Sequence, residues 1–425
     1  MIDHVRREAL SKLRQMEIEL IEPEVKITSD GKGLRSNVEE VCQRCVRDNI
    51  DLALVLFCSW VSEDLSNTVA TELFKHPMLC WAVTEPAELI SISGLASSAS
   101  NFVRLGKEFT YVIGSPNDQG TMKKILKVAK AAAIANRLRR ARIGVVGYAN
   151  PGMIGTTADE IELRALGPEL VHLDLLSLIT RFEKANEKRA AAEAETLISS
   201  VGKVTAKDED IKNSVKLYLA LKDLVTENRL DAIGVRCWPE LREGMGLTVC
   251  YALSRLSDEG IPGIDENDVT GGTTQLIMHW LTGRATFNGD LRTVDTKNNV
   301  VQLWHCGSAP TSLASSMKHV EVREHCQTKR GAVLEFALKK GKVTLAKLSR
   351  TLRGKNKMLI ATGKARETSV TRGNIVNVEI DVPVITFMDK LIIEGFEHHI
   401  VLAYGDIKDE LLELCSILRI EPVTA

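Results

Sequence analysis

Short apolar runs alternate with helical patterns over the first two thirds of the chain. From residue 51 the runs DLALVLFCSW, MLCWAVTEP and FTYVIGS precede a helical pattern near 120–139. A second series begins at RIGVVGYANPG and continues through ELVHLDL, helical stretches over about 176–228 and LDAIGVRCW. It ends with GMGLTVCYALSRLSDEG, IPGID and GGTTQLIMHWLTG. This βαβ order predicts an α/β fold with two Rossmann-like domains, whose parallel sheets are covered by helices.

The pattern changes after about residue 285 to short β-branched runs separated by Gly, Asn and Thr. These runs include NNVVQLWHCG, GKVTLAKL, KMLIATGKA and GNIVNVEIDVPVITF, and a helical pattern, DIKDELLELCSILRI, follows them. They predict a C-terminal β-rich, barrel-like domain. We therefore expect domains at 1–141, 142–285 and 286–425, with the first boundary at the charged run RLRRAR.

Composition narrows the classes of partner. Lys and Arg total 55 against 56 Asp and Glu, a net charge of -1 that gives no reason to expect nucleic acid or an anionic membrane. No run approaches the roughly 20 apolar residues of a membrane span, and MIDHVRREALSKLRQ predicts a charged helix and no signal peptide. Nine scattered cysteines indicate reduced thiols. We expect a cytoplasmic protein with a neutral or small polar ligand.

Two acidic residues follow neighbouring predicted strands of the central domain. Glu240 closes IGVRCWPE, and Asp268 follows the next strand in IPGIDENDVTGG. Ligands of open α/β sheets collect beyond the carboxyl ends of the strands, so both carboxylates can enter one crevice. Their repulsion is relieved by a divalent ion such as Mn²⁺ or Mg²⁺. The alternative is that both are solvated loop acids, and the nearby Glu243, Asp265 and Glu266 keep the choice of residue open.

Histidines form the second group of candidates. EGFEHHIVLAYGD places His398 and His399 at the start of an apolar run, and neighbouring strand residues face opposite sides. By itself the pair is explained by one packed and one exposed side chain. His305, Cys306 and Ser308 of LWHCGSAP lie near the change into the β-rich part. They can line a pocket or simply turn the chain.

Five motifs carry a resemblance to a known family. VRCWPE, GLTVCYALSRLSDEGIP, DENDVTGG, HCGSAP and HHIVLAYGD stand in the order of the L-fucose isomerase-like family. The chain resembles this family over most of its length, most strongly after residue 230. The resemblance implies two α/β domains and a β-rich domain, and aldose–ketose isomerisation with a divalent metal, usually Mn²⁺, with Mg²⁺ or Co²⁺ as options. It also implies a homo-oligomer, hexameric or trimer-based, with sites near subunit interfaces.

The same resemblance implies roles for individual residues. The family's metal-binding Glu, Asp and C-terminal His match Glu240, Asp268 and His399 here, and the two acids would also act as the acid/base pair for a cis-enediol intermediate.

Substrate contacts follow from the same matching. Ser308 stands where a sugar-contacting hydroxyl is expected, Met153 where an apolar wall residue lies, and Trp60 in the N-terminal domain, which can reach a neighbouring subunit's site. His398 replaces an amide that contacts sugar in L-fucose isomerases, and the chain is shorter than those enzymes. The substrate therefore stays open among deoxyhexoses, pentoses and hexoses with an anionic group such as a sulfonate.

Two other functions compete with an isomerase. Paired α/β domains also form sugar-binding proteins without catalysis. A nicotinamide-dependent sugar dehydrogenase is disfavoured, because GYANPG lacks the glycine spacing of a dinucleotide site. Basic residues beside the pocket would favour an anionic sugar, but sequence does not place Arg104, Arg236 or Arg292 there.

Overall fold

The computed structural model describes residues 1–22, 34–351, 354–370 and 372–425. The chain divides into two units by its internal contacts. One comprises 1–136 with 416–418, and the other 137–415 with 419–425. The predicted site residues of the central and C-terminal domains, from Met153 to His399, all lie in the second unit.

A parallel three-stranded sheet organises the first unit. Its strands lie in the order β1-β2-β3, which confirms the predicted βαβ order. The N-terminal helix buries Val5, Ala9 and Leu13, which recur every four residues and so share one face. The elements are α1 Ile2–Leu13, α2 Leu34–Arg47, β1 Ala53–Phe57, α3 Glu63–Glu72, β2 Met78–Ala82, α4 Ser91–Leu105, β3 Thr110–Ile113 and α5 Gln119–Leu138, whose last residues belong to the second unit.

A second parallel sheet, of four strands in the order β5-β4-β7-β8, opens the second unit. Because β7 and β8 pair directly, the two predicted acid-bearing strand ends are neighbours. The elements are β4 Arg142–Val146, α6 Glu160–Leu166, β5 Glu169–Leu173, α7 Leu175–Glu183, α8 Glu187–Ser200, β6 Lys203–Val204, α9 Asp208–Asn228, β7 Ala232–Val235, α10 Cys250–Asp258, β8 Gly263–Ile264 and α11 Val269–Thr282.

The rest of the second unit is a mixed sheet that closes on itself. Strands β14, β13, β16, β9, β10 and β15 pair in that order, and β14 also pairs with β15, so these six form a closed ring. The predicted barrel-like domain is confirmed. The elements are β9 Phe287–Asp295, β10 Val300–His305, β11 Glu321–Glu324, β12 Ala332–Ala337, β13 Gly341–Arg350, β14 Asn356–Arg366, β15 Asn374–Ile380, α12 Val384–Ile393, β16 His399–Tyr404, α13 Lys408–Leu418 and β17 Glu421–Thr424.

The prediction of extended structure is wrong for one segment of the β-rich pattern. The run VITF after Pro383 was expected to be extended, but it forms the first turn of α12. Pro383 lacks the N–H that a strand would donate, and it immediately precedes the helix, where no such donor is needed. The buried residues of this helix, Val384, Phe387 and Leu391, recur at helical spacing.

One apolar cluster of the second unit extends across both of its sheets. Buried residues of α9 and α10 belong to the same cluster as residues inside the barrel, such as Val301, Leu345 and Ile400. The predicted boundary between 285 and 286 therefore separates two sheets that share a core, and the three-domain division stays a prediction.

The length of a helix and its charged residues decide whether it can cross a bilayer. The longest, α9 with 21 residues and α5 with 20, carry charged residues along their length. Within the described ranges, no helix is both long and apolar enough to cross a bilayer.

Candidate active site

His399 opens β16 with a fully buried side chain. Its Nδ1 lies 3.0 Å from Oδ2 of Asp268. Since an ionised carboxylate only accepts, Nδ1 donates, and in the neutral ring the lone pair then lies on Nε2. Nε2 lies 3.3 Å from Oδ1 of Asp290 and 3.4 Å from Oε2 of Glu266, yet it is buried without a hydrogen-bond partner. This nitrogen and the two carboxylates converge on a position suited to a cation.

Asp268 supports His399 from the start of α11. Its Oδ1 accepts hydrogen bonds from the Gly271 N–H at 2.8 Å and the Thr270 hydroxyl at 2.9 Å. The buried ammonium of Lys347 lies 2.8 and 3.1 Å from the two carboxylate oxygens. Burial raises the pKa of Asp268, but Lys347 and His399 outweigh it and hold the pKa well below its ordinary value. Asp268 is therefore an ionised anchor for the imidazole.

An unusual backbone turn brings Glu266 to His399. Glu266 and Asn267 both have left-handed φ angles, 57° and 55°, which non-glycine residues adopt only at a cost. The Asn267 side chain offsets that cost by donating to the carbonyls of Val146 at 3.0 Å and Tyr148 at 2.9 Å. The turn is therefore held against the end of β4.

The pKa values of the two carboxyls agree with a cation position. Burial is the largest influence and raises the pKa of Glu266 and of Asp290, but the hydrogen-bonding contact with His399 and the positive charges of His305 and His399 together outweigh it, so the net shift is downward. Both groups are therefore ionised. Two negative charges beside one unsatisfied imidazole nitrogen need a proton or a metal ion between them.

His305, at the end of β10, adds a second imidazole. Its Nδ1 lies 3.1 Å from Oδ2 of Asp265, and its Nε2 is buried without a hydrogen-bond partner. Glu266, His305 and His399 offer ligand atoms within 4.8 Å of one another, and Asp290, His398 and His399 form a second such group. Carboxylate oxygens with imidazole nitrogens suit a borderline divalent ion such as Mn²⁺. The residues present therefore fit a divalent metal.

Glu240 lies in a different environment. It begins the π-helical turn Glu240–Gly244 after β7, and its carboxylate forms two contacts with Arg236, at 2.8 and 3.0 Å. Its side chain is 41% exposed, and it belongs to neither group of potential ligands around His399. The metal-binding role of Glu240 stays a prediction, as does direct ligation by Asp268.

The predicted substrate residues are distributed around this centre. The Ser308 hydroxyl lies 3.5 Å from Nδ1 of His305. Exposed His398 lies with Nε2 3.4 Å from Oδ1 of Asp290, so both histidines of the pair contact one carboxylate although only His399 is buried. Partly buried Met153 lies in the loop after β4. Trp60 is 52% exposed in the first unit. Their sugar contacts stay predictions.

Sequence reasoning missed several residues of this centre. Glu266 was visible within the same motif as Asp268, and His305 within LWHCGSAP. Asp290 is placed only by the register of β16 with β9, which pairs it with His399. Lys347 had no signal, because a lysine within an apolar β run is ordinarily exposed.

Comparison with known proteins places these motifs in a wider set. A family model described as the L-fucose isomerase C-terminal domain matches residues 303–424, a segment that contains His305, Lys347 and His399. A protein named sulfoquinovose isomerase from Priestia megaterium is 31% identical over 359 residues, which are 82% of this chain and 80% of that relative. A protein of the same name from Alkalicoccus urumqiensis is 28% identical over 363 residues, 83% of this chain and 82% of its own.

Proposed function

The chain belongs to the L-fucose isomerase-like family of aldose–ketose isomerases, and we propose that it converts sulfoquinovose, a glucose derivative with a sulfonate on C6, into the corresponding 2-ketose. The names of its relatives support this substrate. The observation that carries the proposal is the buried, unpartnered Nε2 of His399 between the carboxylates of Glu266 and Asp290.

The reaction moves a proton between C1 and C2 of the open-chain sugar. The cis-enediol formed on the way carries negative charge on O1 and O2. Glu266, His399 and Asp290, with His305 beside them, would hold a divalent ion, Mn²⁺ by preference and Mg²⁺ or Co²⁺ as alternatives. Such an ion supplies Lewis-acid stabilisation of that charge.

The protein's own residues divide the remaining work. Asp268, supported by Lys347, holds the ring of His399 in the orientation that presents Nε2. Asp290 is the base that we assign to the proton transfer. Its side chain is 31% exposed, against 21% for Glu266, and it contacts exposed His398, so it faces the open side of the site. We assign the contacts with the sugar hydroxyls to His398 and Ser308, which lie beside Asp290 and His305 respectively.

A comparison of two glutamates tests this assignment. We expect Glu266→Gln to lower turnover of sulfoquinovose by at least about 100-fold and to weaken Mn²⁺ binding, because a carboxylate that would bind the metal directly is lost. Glu240→Gln should stay within a few-fold of wild type, since that carboxylate pairs with Arg236. Ketose formation and Mn²⁺ titration calorimetry provide the measurements.

Three outcomes contradict parts of the proposal. Loss in Glu240→Gln with a normal Glu266→Gln variant would restore the ligand set expected from the sequence resemblance. Full activity after EDTA treatment and removal of metal would exclude the metal-assisted reaction. Failure of the metal-loaded enzyme to form a ketose from sulfoquinovose would reject the proposed substrate.

A further inference from the structure

The strand register that positions the candidate site continues onto an aromatic side chain. His399 on β16 pairs with Asp290 on β9, and Asp290 pairs with Trp304 on β10. Directly opposed residues of paired strands point to the same face, so these three side chains form a row. The indole N–H of Trp304 donates to the carbonyl of Arg372 at 2.6 Å, which fixes the ring. Trp304 is partly exposed, so the row offers an apolar surface beside Asp290.

A β-bulge places a positive charge over the end of this row. The register of β9 with β10 shifts between Gln302 and Leu303, which leaves Arg292 without a partner on β10. Bulges re-aim side chains near active sites. Here Cζ of Arg292 lies 5.7 Å from the centroid of the Trp304 ring, a cation–π distance. The guanidinium therefore lies on the same face as Asp290 and His399.

Apart from the face of the Trp304 ring, the Arg292 guanidinium has no partner among the described residues. Within the described part of the chain it forms no ion pair or hydrogen bond through its guanidinium, and its side chain is exposed. Arg236, by contrast, is held by both oxygens of Glu240. An unpaired guanidinium has its planar set of donors available for an external anion, and that geometry matches two oxygens of a sulfonate.

The spacing fits a six-carbon substrate. Arg292 is two residues beyond Asp290 on β9, which corresponds to roughly 7 Å along a strand. Five carbon–carbon bonds of about 1.5 Å each span roughly 6 Å in an extended hexose. A sugar with C1 and C2 beside Asp290 and His399 can therefore place a substituent on C6 within reach of Arg292.

We propose that Arg292 and Trp304 form the subsite for the anionic C6 substituent, in which Arg292 binds the sulfonate and Trp304 holds the guanidinium over the sugar. This inference rests on the proposed function and adds the source of its specificity. The subsite contributes binding far from the reacting carbons, so its loss should act on the anionic sugar and spare neutral ones.

Steady-state kinetics on two sugars test the subsite. With the metal-loaded enzyme, we expect Arg292→Gln to lower kcat/KM for sulfoquinovose by about tenfold to hundredfold, as for loss of a charged hydrogen bond. The value for neutral 6-deoxyglucose should stay within about twofold of wild type, since no sulfonate contact is lost. For sulfoquinovose, kcat/KM of Arg292→Lys should fall between the values of wild type and Arg292→Gln, because lysine keeps the charge but not the paired N–H donors of the guanidinium. Lys297→Gln removes a positive charge from the exposed turn of the same hairpin and should leave both sugars unaffected.

The results separate the subsite from the reaction. An equal loss on both sugars, or no loss on either, overturns the subsite. The sulfonated alditol of sulfoquinovose, which cannot isomerise, gives an independent binding measurement by calorimetry against neutral glucitol. If no aldose is turned over but the sulfonated alditol binds wild type at least tenfold more tightly than Arg292→Gln, the subsite stands and the isomerase proposal fails. If wild type and Arg292→Gln bind the sulfonated alditol equally, the subsite proposal fails whatever the turnover.

Discussion

The residue that most constrains the candidate site is a buried lysine. Lys347 is completely enclosed, and its ammonium contacts both oxygens of Asp268, which is equally buried. A buried ion pair contributes little net stability compared with apolar residues, but removal of one partner leaves an uncompensated charge. The role of Asp268 explains the pair, because this carboxylate also holds His399 through Nδ1. Lys347 therefore acts on the site through two intermediaries.

We expect Lys347→Met to lower the free energy of unfolding by about 3–5 kcal/mol, because the Asp268 carboxylate stays buried without its cation. Lys342→Met, on the same strand, removes an exposed contact with Asp406 at 2.7 Å, which solvent screens, and should lower the free energy of unfolding far less. Urea denaturation of the metal-free proteins measures both. In the double variant Lys347→Met/Asp268→Asn, part of the loss should be recovered. Equal, small effects of the two lysine variants would show that Lys347 does not compensate the buried charge.

At the level of elements, the sequence pattern predicted the helices and strands, whose formation depends on residues close together in the chain. The strands β1 to β5 and β7 follow short apolar runs, the helices α5 and α11 follow helical patterns, and all of them form where expected. Two features of the site are not local. The register of β9 with β16, which brings Asp290 to His399, joins strands far apart in the chain. The two left-handed residues before Asp268 depend on carbonyls at the end of β4.

The turn before α11 yields a prediction that separates side chain from backbone. Asn267→Gly keeps the left-handed conformation without penalty but loses two hydrogen bonds, whereas Asn267→Ala loses them and adds a conformational cost of about 1 kcal/mol. Both should weaken Mn²⁺ binding, since Glu266 loses its support, and Asn267→Ala should be the less stable protein. Calorimetric titration and chemical denaturation measure the two effects. Wild-type affinity in Asn267→Gly would show that the side chain does not position Glu266.

On the scale of the whole molecule, the sequence resemblance was correct about the class of enzyme, and the site residues that it implies stay predictions. It predicted that an acid from the central domain and a C-terminal histidine would meet, and Asp268 and His399 do contact each other. It could not show that both carboxylate oxygens of Asp268 accept hydrogen bonds or that the Glu266 carboxylate lies 3.4 Å from Nε2 of His399, because both depend on side-chain geometry. The core that α9 and α10 share with the barrel joins these parts in one unit, so a change deep in that unit should alter its global stability.

His325 is a buried residue of that unit whose protonation would be such a change. It lies in the turn between β11 and β12, 1% exposed, and its Nδ1 accepts long hydrogen bonds from the backbone N–H groups of Gln327 and Thr328, at 3.3 and 3.4 Å. Both donors favour the neutral ring, since a protonated Nδ1 cannot accept.

Acid should therefore destabilise the protein through this histidine. Burial, followed by the charges of Arg242, His305 and Arg372, lowers the pKa of His325 to about 4, and Glu243 opposes them weakly. In the unfolded chain His325 has a pKa near 6.5, so below that pH the unfolded chain binds more protons than the folded protein does. The free energy of unfolding is therefore unaffected by His325 above about pH 6.5 and falls as the pH drops toward 4. Between pH 7.5 and 5 the loss from this group is about 2 kcal/mol. His325→Asn keeps an acceptor and removes the titration. Urea denaturation at the two pH values should show a loss about 2 kcal/mol smaller in the variant, and equal losses would show that His325 is not the group responsible.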